Sequence, residues 1–175
     1  MRTVILLAMH GAPPKDFPKR ELGEYFGLRT RLQHSAGPDR AEMERRHAEL
    51  EAKMLAWPRT AQNDPYYAAA QALAAQLRAT AESEVVVAFN EFCAPTLDEA
   101  MDHAMALSPD RVVVITPMMT RGGEHSEVDI PEAVRRAQGR YPSVPIVYAW
   151  PFDVSDIARF LTSQIHRFLE QAERG

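Results

Sequence analysis

Four short apolar runs punctuate the chain, and between them apolar residues recur every three or four positions on a polar background. The runs are Thr3–Met9, Glu84–Phe89 around Val85–Val87, Val112–Ile115, and Val144–Ala149. The β-branched run Val112–Ile115 has no polar interruption and predicts a strand buried on both faces of a parallel sheet, and the other three runs read as its companion strands. The intervening periodicity predicts helices. Asp64-Pro65 gives a cap and a first-turn proline for a helix to Arg78, and Thr96-x-x-Glu99 is a capping box for a helix to Leu107. Pro131 opens a helix to Gln138. A last helix, Ser155 to Ala172, carries Ile157, Phe160, Leu161, Ile165, Phe168 and Leu169 on a stripe expected to be buried.

Strands alternating with helices predict an α/β three-layer sandwich with a four-stranded parallel, flavodoxin-like sheet in the order 2-1-3-4. A helical insert at about 13–63 interrupts this alternation after the first strand. Within it, Glu21 to Leu32 and Arg40 to Trp57 read as amphipathic helices, and Leu22, Phe26, Met43, Leu50, Met54 and Trp57 form an apolar face that needs a partner. The expectation is a single domain spanning 1–175. The expected assembly is a homodimer in which the insert helps enclose the ligand.

Composition narrows the function. A net charge of −4 provides no basic footprint for nucleic acid. The single cysteine, Cys93, allows no internal disulfide and reads as a small core side chain in a reducing compartment. With a strand starting almost at Met1 and no apolar run of membrane-spanning length, the expected location is the cytoplasm, with no membrane partner.

Three strand exits carry polar groups. The first ends in His10-Gly11, the second in Asn90-Glu91, and the third leads through Gly122-Gly123 into Glu124, His125, Glu127 and Asp129. Ligands of open α/β sheets bind beyond the carboxyl ends of the strands. The order 2-1-3-4 makes the first and third strands neighbours, so His10, Glu91 and His125 converge as an open nitrogen and oxygen site for a borderline divalent cation. Each also has a structural reading: a backbone-bonded histidine for His10, a cap or arginine partner for Glu91. Glu127 and Asp129 suit a helix start through Ser126-x-x-Asp129. They are held in second rank with Glu124 and Arg121, the latter a candidate for substrate carboxylates. His34, His47, His103 and His166 read as surface or packing residues, and Met118-Met119 as an apolar wall.

MRTVILLAMHGA, VVVAFNEFCAPTLDEAMDHA and RVVVITPMMTRGGEHSEVDIPEAV together resemble the class II chelatases, the small cobaltochelatase and sirohydrochlorin chelatase family. The resemblance implies a chelatase-like fold and insertion of Co²⁺, Fe²⁺ or Ni²⁺ into a sirohydrochlorin-like tetrapyrrole, with cobalt preferred and no cofactor beyond the metal substrate. It also implies homodimers for short members. Metal-contacting histidines map onto His10 and His125 and the active-site glutamate onto Glu91. Three features depart from the family pattern: Ala12 follows His-Gly, Val128 precedes Asp129, and the insert is long. Two other functions compete. A metal or tetrapyrrole carrier would use the same three residues, whereas a histidine-type phosphatase would need an arginine where Met9 stands.

Overall fold

The computed structural model describes residues 1–34 and 36–174. β1 (Thr3–Met9), β2 (Glu84–Phe89), β3 (Arg111–Ile115) and β4 (Ile146–Tyr148) form one all-parallel sheet in the order β2-β1-β3-β4, as the alternation predicted. Side chains alternate between its two faces. Val4, Leu6, Ala8, Val112 and Val114 point to one side. There they meet Leu97, Ala100, Met101 and Ala104 of α4 (Leu97–Ala106), and Ile130, Ala133 and Ala137 of α5 (Ile130–Arg140). Leu7, Met9, Val85, Val87 and Phe89 point to the other side, against Ala70 and Ala74 of α3 (Pro65–Ala81). Both predicted helix starts are formed. Asp64 accepts from the Tyr67 amide at 2.9 Å, and Thr96 and Glu99 cap each other reciprocally.

The insert contains α1 (Lys19–His34) and α2 (Arg40–Leu55). Their apolar faces meet each other rather than a vacant surface: Phe17, Tyr25, Leu28, Met43, Leu50, Met54 and Phe92 form a third buried cluster, with Leu22 and Trp57 at its edge. Only Phe26 of the predicted face is substantially exposed. Lys53–Glu21 and Arg46–Glu24 ion pairs link the two helices. The far end of the insert is fastened by Arg59, buried with Asp64 in a 2.6 Å ion pair. Arg59 also donates to the carbonyls of Ala12, Met54 and Phe92. With both terminal nitrogens bonded, this buried guanidinium ties the insert to the segments after β1 and β2 and to the start of α3.

Two expectations are corrected. Helical structure after β3 begins before Pro131, because a π-helical turn over His125–Asp129 runs directly into α5. The larger correction concerns α6 (Val154–Ala172), which has no buried residue: Phe160, Leu161, Ile165, Phe168 and Leu169 are each between 52 and 59% exposed. The periodicity identified the helix correctly. The stripe has no partner among the described residues, because helices α4 and α5 cover the opposite face and α6 does not fold back beside α3.

Candidate metal site

The site is built where the β1–β2 ladder runs past the strands. The Asn90 amide donates to the Met9 carbonyl at 2.9 Å and the Glu91 amide to the His10 carbonyl at 3.1 Å, so His10 and Glu91 lie side by side. Gly11 permits this. It has φ +104°, and a Cβ built there would lie 1.9 Å from the Glu91 carbonyl oxygen. Both the backbone conformation and the close approach require glycine.

His125 arrives from the neighbouring β3 side on the π-helical turn. Its Nδ1–H donates to Asp129 Oδ2 at 2.5 Å, leaving the Nε2 lone pair 3.5 Å from Glu91 Oε1. Asp129 is therefore a histidine-orienting carboxylate. It makes no side-chain cap, contrary to the Ser126-x-x-Asp129 expectation, and Ser126 instead donates its hydroxyl to the Gly123 carbonyl. The Tyr148 hydroxyl donates to the Ser126 carbonyl at 3.0 Å and ties the turn to β4. Burial of that phenol pushes its pKa up to about 12.

On His10, Nδ1 lies 2.9 Å from the Gly11 carbonyl oxygen and 3.5 Å from Glu91 Oε1. The His10 and His125 rings meet edge to face, with centroids 4.6 Å apart. His10, Glu91 and His125 can each offer a ligand atom such that all three lie within 4.8 Å of one another. Two ligands at about 2.1 Å from a tetrahedral ion are about 3.4 Å apart. The 3.5 Å between His125 Nε2 and Glu91 Oε1 matches that spacing.

The insert supplies a residue that the sequence pattern did not single out. Arg29 of α1 donates to Glu91 Oε2 at 3.0 Å, so one carboxylate oxygen faces the imidazoles and the other an arginine. The bond to Glu91 raises the Arg29 pKa above its ordinary value. Tyr25, Arg29, His47, Glu51, Asn90, Glu91, His125 and Asp129 line a cleft of about 280 Å³. Burial, reinforced by Glu51, raises the Tyr25 pKa, and His47 stacks on Tyr25 with centroids 4.5 Å apart. His47 Nε2 and Asn90 Oδ1 are buried with no hydrogen-bond partner among the described residues. The sequence reads His47 as a surface or packing residue. Only the docking of the insert reveals its place on the cleft.

The other second-rank residues lie outside the cluster. Glu127 accepts from the Gly122 amide at 3.2 Å and sits 3.5 Å from Arg121, which lies over the Trp150 ring; both shape the turn before His125. Glu124 is exposed. Met118 packs on the α4/α5 core, and Cys93 is buried with its thiol pKa pushed up to about 11 by desolvation, consistent with a core role.

The sequence profile of the CbiX family matches residues 60–167, more than half of the chain. The chain belongs to the CbiX family. That match includes Glu91 and His125 but stops short of His10 and most of the insert. Two relatives come from Priestia megaterium. A sirohydrochlorin ferrochelatase is 29% identical over 70 residues, 40% of this chain and 26% of its own length. A sirohydrochlorin cobaltochelatase is 36% identical over 74 residues, 42% and 24% of the respective lengths. The matched part of this CbiX protein thus spans about a quarter of each relative. The crystal structure of a putative cobalamin biosynthesis CbiX protein from Marinobacter aquaeolei VT8 aligns over 99% of both chains, with TM-score 0.51 and 16% identity. That likeness supports the fold. No helix among the described residues is long and apolar enough to cross a membrane.

Proposed function

We propose that this CbiX protein is a chelatase that inserts a divalent metal, cobalt in preference to iron or nickel, into a sirohydrochlorin-like tetrapyrrole. The observation that carries the reading is the convergence of two imidazoles and one carboxylate from three strand exits, close enough to share one ion. That donor set suits borderline first-row cations and leaves coordination positions open for the incoming macrocycle. Metal and tetrapyrrole are both substrates, and the proposal includes no further cofactor.

His10, His125 and Glu91 hold the ion in this reading, with Asp129 fixing the His125 tautomer so that Nε2 faces it. Arg29 shares the charge of Glu91 and keeps the carboxylate a single-oxygen donor, which eases release of the ion to pyrrole nitrogens. Two pyrrole protons leave as the metal enters. An imidazole freed from the ion and Glu91 each accept one as general base and pass it to solvent. The unpartnered His47 Nε2 and Asn90 Oδ1 offer polar contacts to the substrate edge.

Steady-state absorbance with sirohydrochlorin and excess Co²⁺, Fe²⁺ or Ni²⁺ tests the reading. Many equivalents of metallated product per chain are expected, fastest with Co²⁺. Product that stops at one equivalent would identify a carrier instead. Glu91→Gln should retain the fold by circular dichroism and lose turnover; a full rate across pH would remove Glu91 from the mechanism.

A further inference from the structure

Docking of the insert places α2 beside the metal site with polar atoms that the three proposed ligands do not use. His47 Nε2 and Asn90 Oδ1 are buried without a hydrogen-bond partner among the described residues. Both residues line the cleft of about 280 Å³ that Glu91 and His125 also line. The Asn90 side-chain amide donates to the Met9 carbonyl at 2.7 Å, so its Oδ1 is oriented as an acceptor. Leaving buried polar atoms unpaired is costly, and two in one cleft mark a place for a group that brings hydrogens to them. Charge narrows what that group is. Glu51, Glu91 and Asp129 line the cleft, and its one guanidinium, Arg29, is already bonded to Glu91. With neutral imidazoles, three carboxylates against one guanidinium leave two negative charges, the complement of a single divalent cation. Glu51 is exposed and lies one turn of α2 from His47, whereas the Glu91 side chain is only 16% exposed, so carboxylates lead from solvent inward to the triad.

We propose that this cleft is a second cation site, where a hydrated divalent ion waits on His47, Asn90 and Glu51 before it sheds water and moves to His10, Glu91 and His125. The inference rests on reading those last three residues as the chelation site. Among the described residues only that triad closes on an ion directly, so the cleft holds the ion through its water. Bound waters donate to Asn90 Oδ1, to the Glu51 carboxylate and to His47 Nε2. The ion's charge selects the neutral His47 tautomer with its lone pair on that nitrogen. Six waters occupy about 180 Å³ at about 30 Å³ each, which the cleft accommodates. A cleft lined by one sign of charge also raises the capture rate of the opposite ion by about 10–1,000-fold. Once the ion has moved on, His47 and Asn90 are free for the macrocycle edge.

Isothermal titration and visible absorbance with Co²⁺ separate the two sites. In the full chain carrying both His10→Ala and His125→Ala the triad is lost, and one weaker equivalent should remain, with the faint spectrum of six-coordinate Co²⁺. Adding Glu51→Gln, or His47→Phe to keep a ring against Tyr25, should weaken that equivalent by about tenfold or more. With the triad intact, stopped-flow mixing should show Glu51→Gln slowing Co²⁺ capture by about tenfold and flattening its dependence on salt, while the final affinity of the triad stays the same. A purely structural Glu51 would alter neither the capture rate nor its salt dependence. No residual equivalent in the variant lacking both histidines, which would leave the cleft to water alone, or an unaltered capture rate in Glu51→Gln would each overturn the waiting site. Both results would leave the triad's own affinity, and the chelatase reading, standing. A wild-type chain that binds no Co²⁺ would remove the triad as well, so the two failures are distinguishable.

Discussion

The two sides of the candidate metal site are held in different ways. On the β1–β2 side, His10 and Glu91 are positioned by backbone: strand pairing continues past the strand ends, and Gly11 presses against the Glu91 carbonyl. On the β3 side, His125 sits on a π-helical turn and is oriented by one side chain, Asp129. The insert adds a third influence through Arg29, again by a single side-chain bond. A site half built from backbone and half from side chains should respond unequally to substitution. The backbone side should fail abruptly, and the side-chain side by degrees.

The largest effect is expected at Gly11. In Gly11→Ala the positive φ alone costs about 1–3 kcal/mol, and the Cβ clash with the Glu91 carbonyl displaces the carboxylate as well. Melting temperature should fall and Co²⁺ binding, read by isothermal titration, should be lost. Near-native values for both would show that the close approach does not position Glu91. Next come the ligands. His10→Ala and His125→Ala should each weaken Co²⁺ by more than the about 10–100-fold that loss of a supporting partner costs; unchanged affinity in both would remove the site.

Asp129→Asn tests the side-chain half directly. It should weaken Co²⁺ by about 10–100-fold while leaving melting temperature close to native, because the residue orients an imidazole and caps nothing. An unaltered affinity would mean that the π-helical turn alone sets the His125 ring. The smallest effect belongs to Arg29→Gln. The ion pair is partly exposed and worth about 1 kcal/mol or less, and its removal returns the full Glu91 charge to the ion, so Co²⁺ should bind up to about fivefold tighter. Since its pKa lies above the ordinary arginine value, Arg29 stays cationic and this ratio should be flat across neutral pH. Weaker binding would instead show that Arg29 matters by holding Glu91 in place.

Much of this was legible in local sequence. Strand runs ending in His10-Gly11 and Asn90-Glu91 expose both their length and their exits, and right-handed crossovers leave few sheet orders, so the convergence of His10, Glu91 and His125 followed from topology. Asp129 was visible but misassigned: the four-residue spacing from His125 is a helical spacing, and the expected helix start at Pro131 hid it. Arg29 and His47 had no signal at all, because each lies in an ordinary amphipathic helix and reaches the cleft only when α1 and α2 dock.

The two groups of amphipathic helices mark the boundary between what sequence and tertiary structure decide. Periodicity determined that α1, α2 and α6 are helices and that each has an apolar stripe, since both properties depend on residues within a few turns of one another. It could not determine what covers the stripe, because burial is non-directional and any apolar surface of suitable shape satisfies it. Tertiary structure decided that α1 and α2 cover each other and bring Arg29 to Glu91, and that α6 leaves the sheet with its stripe exposed.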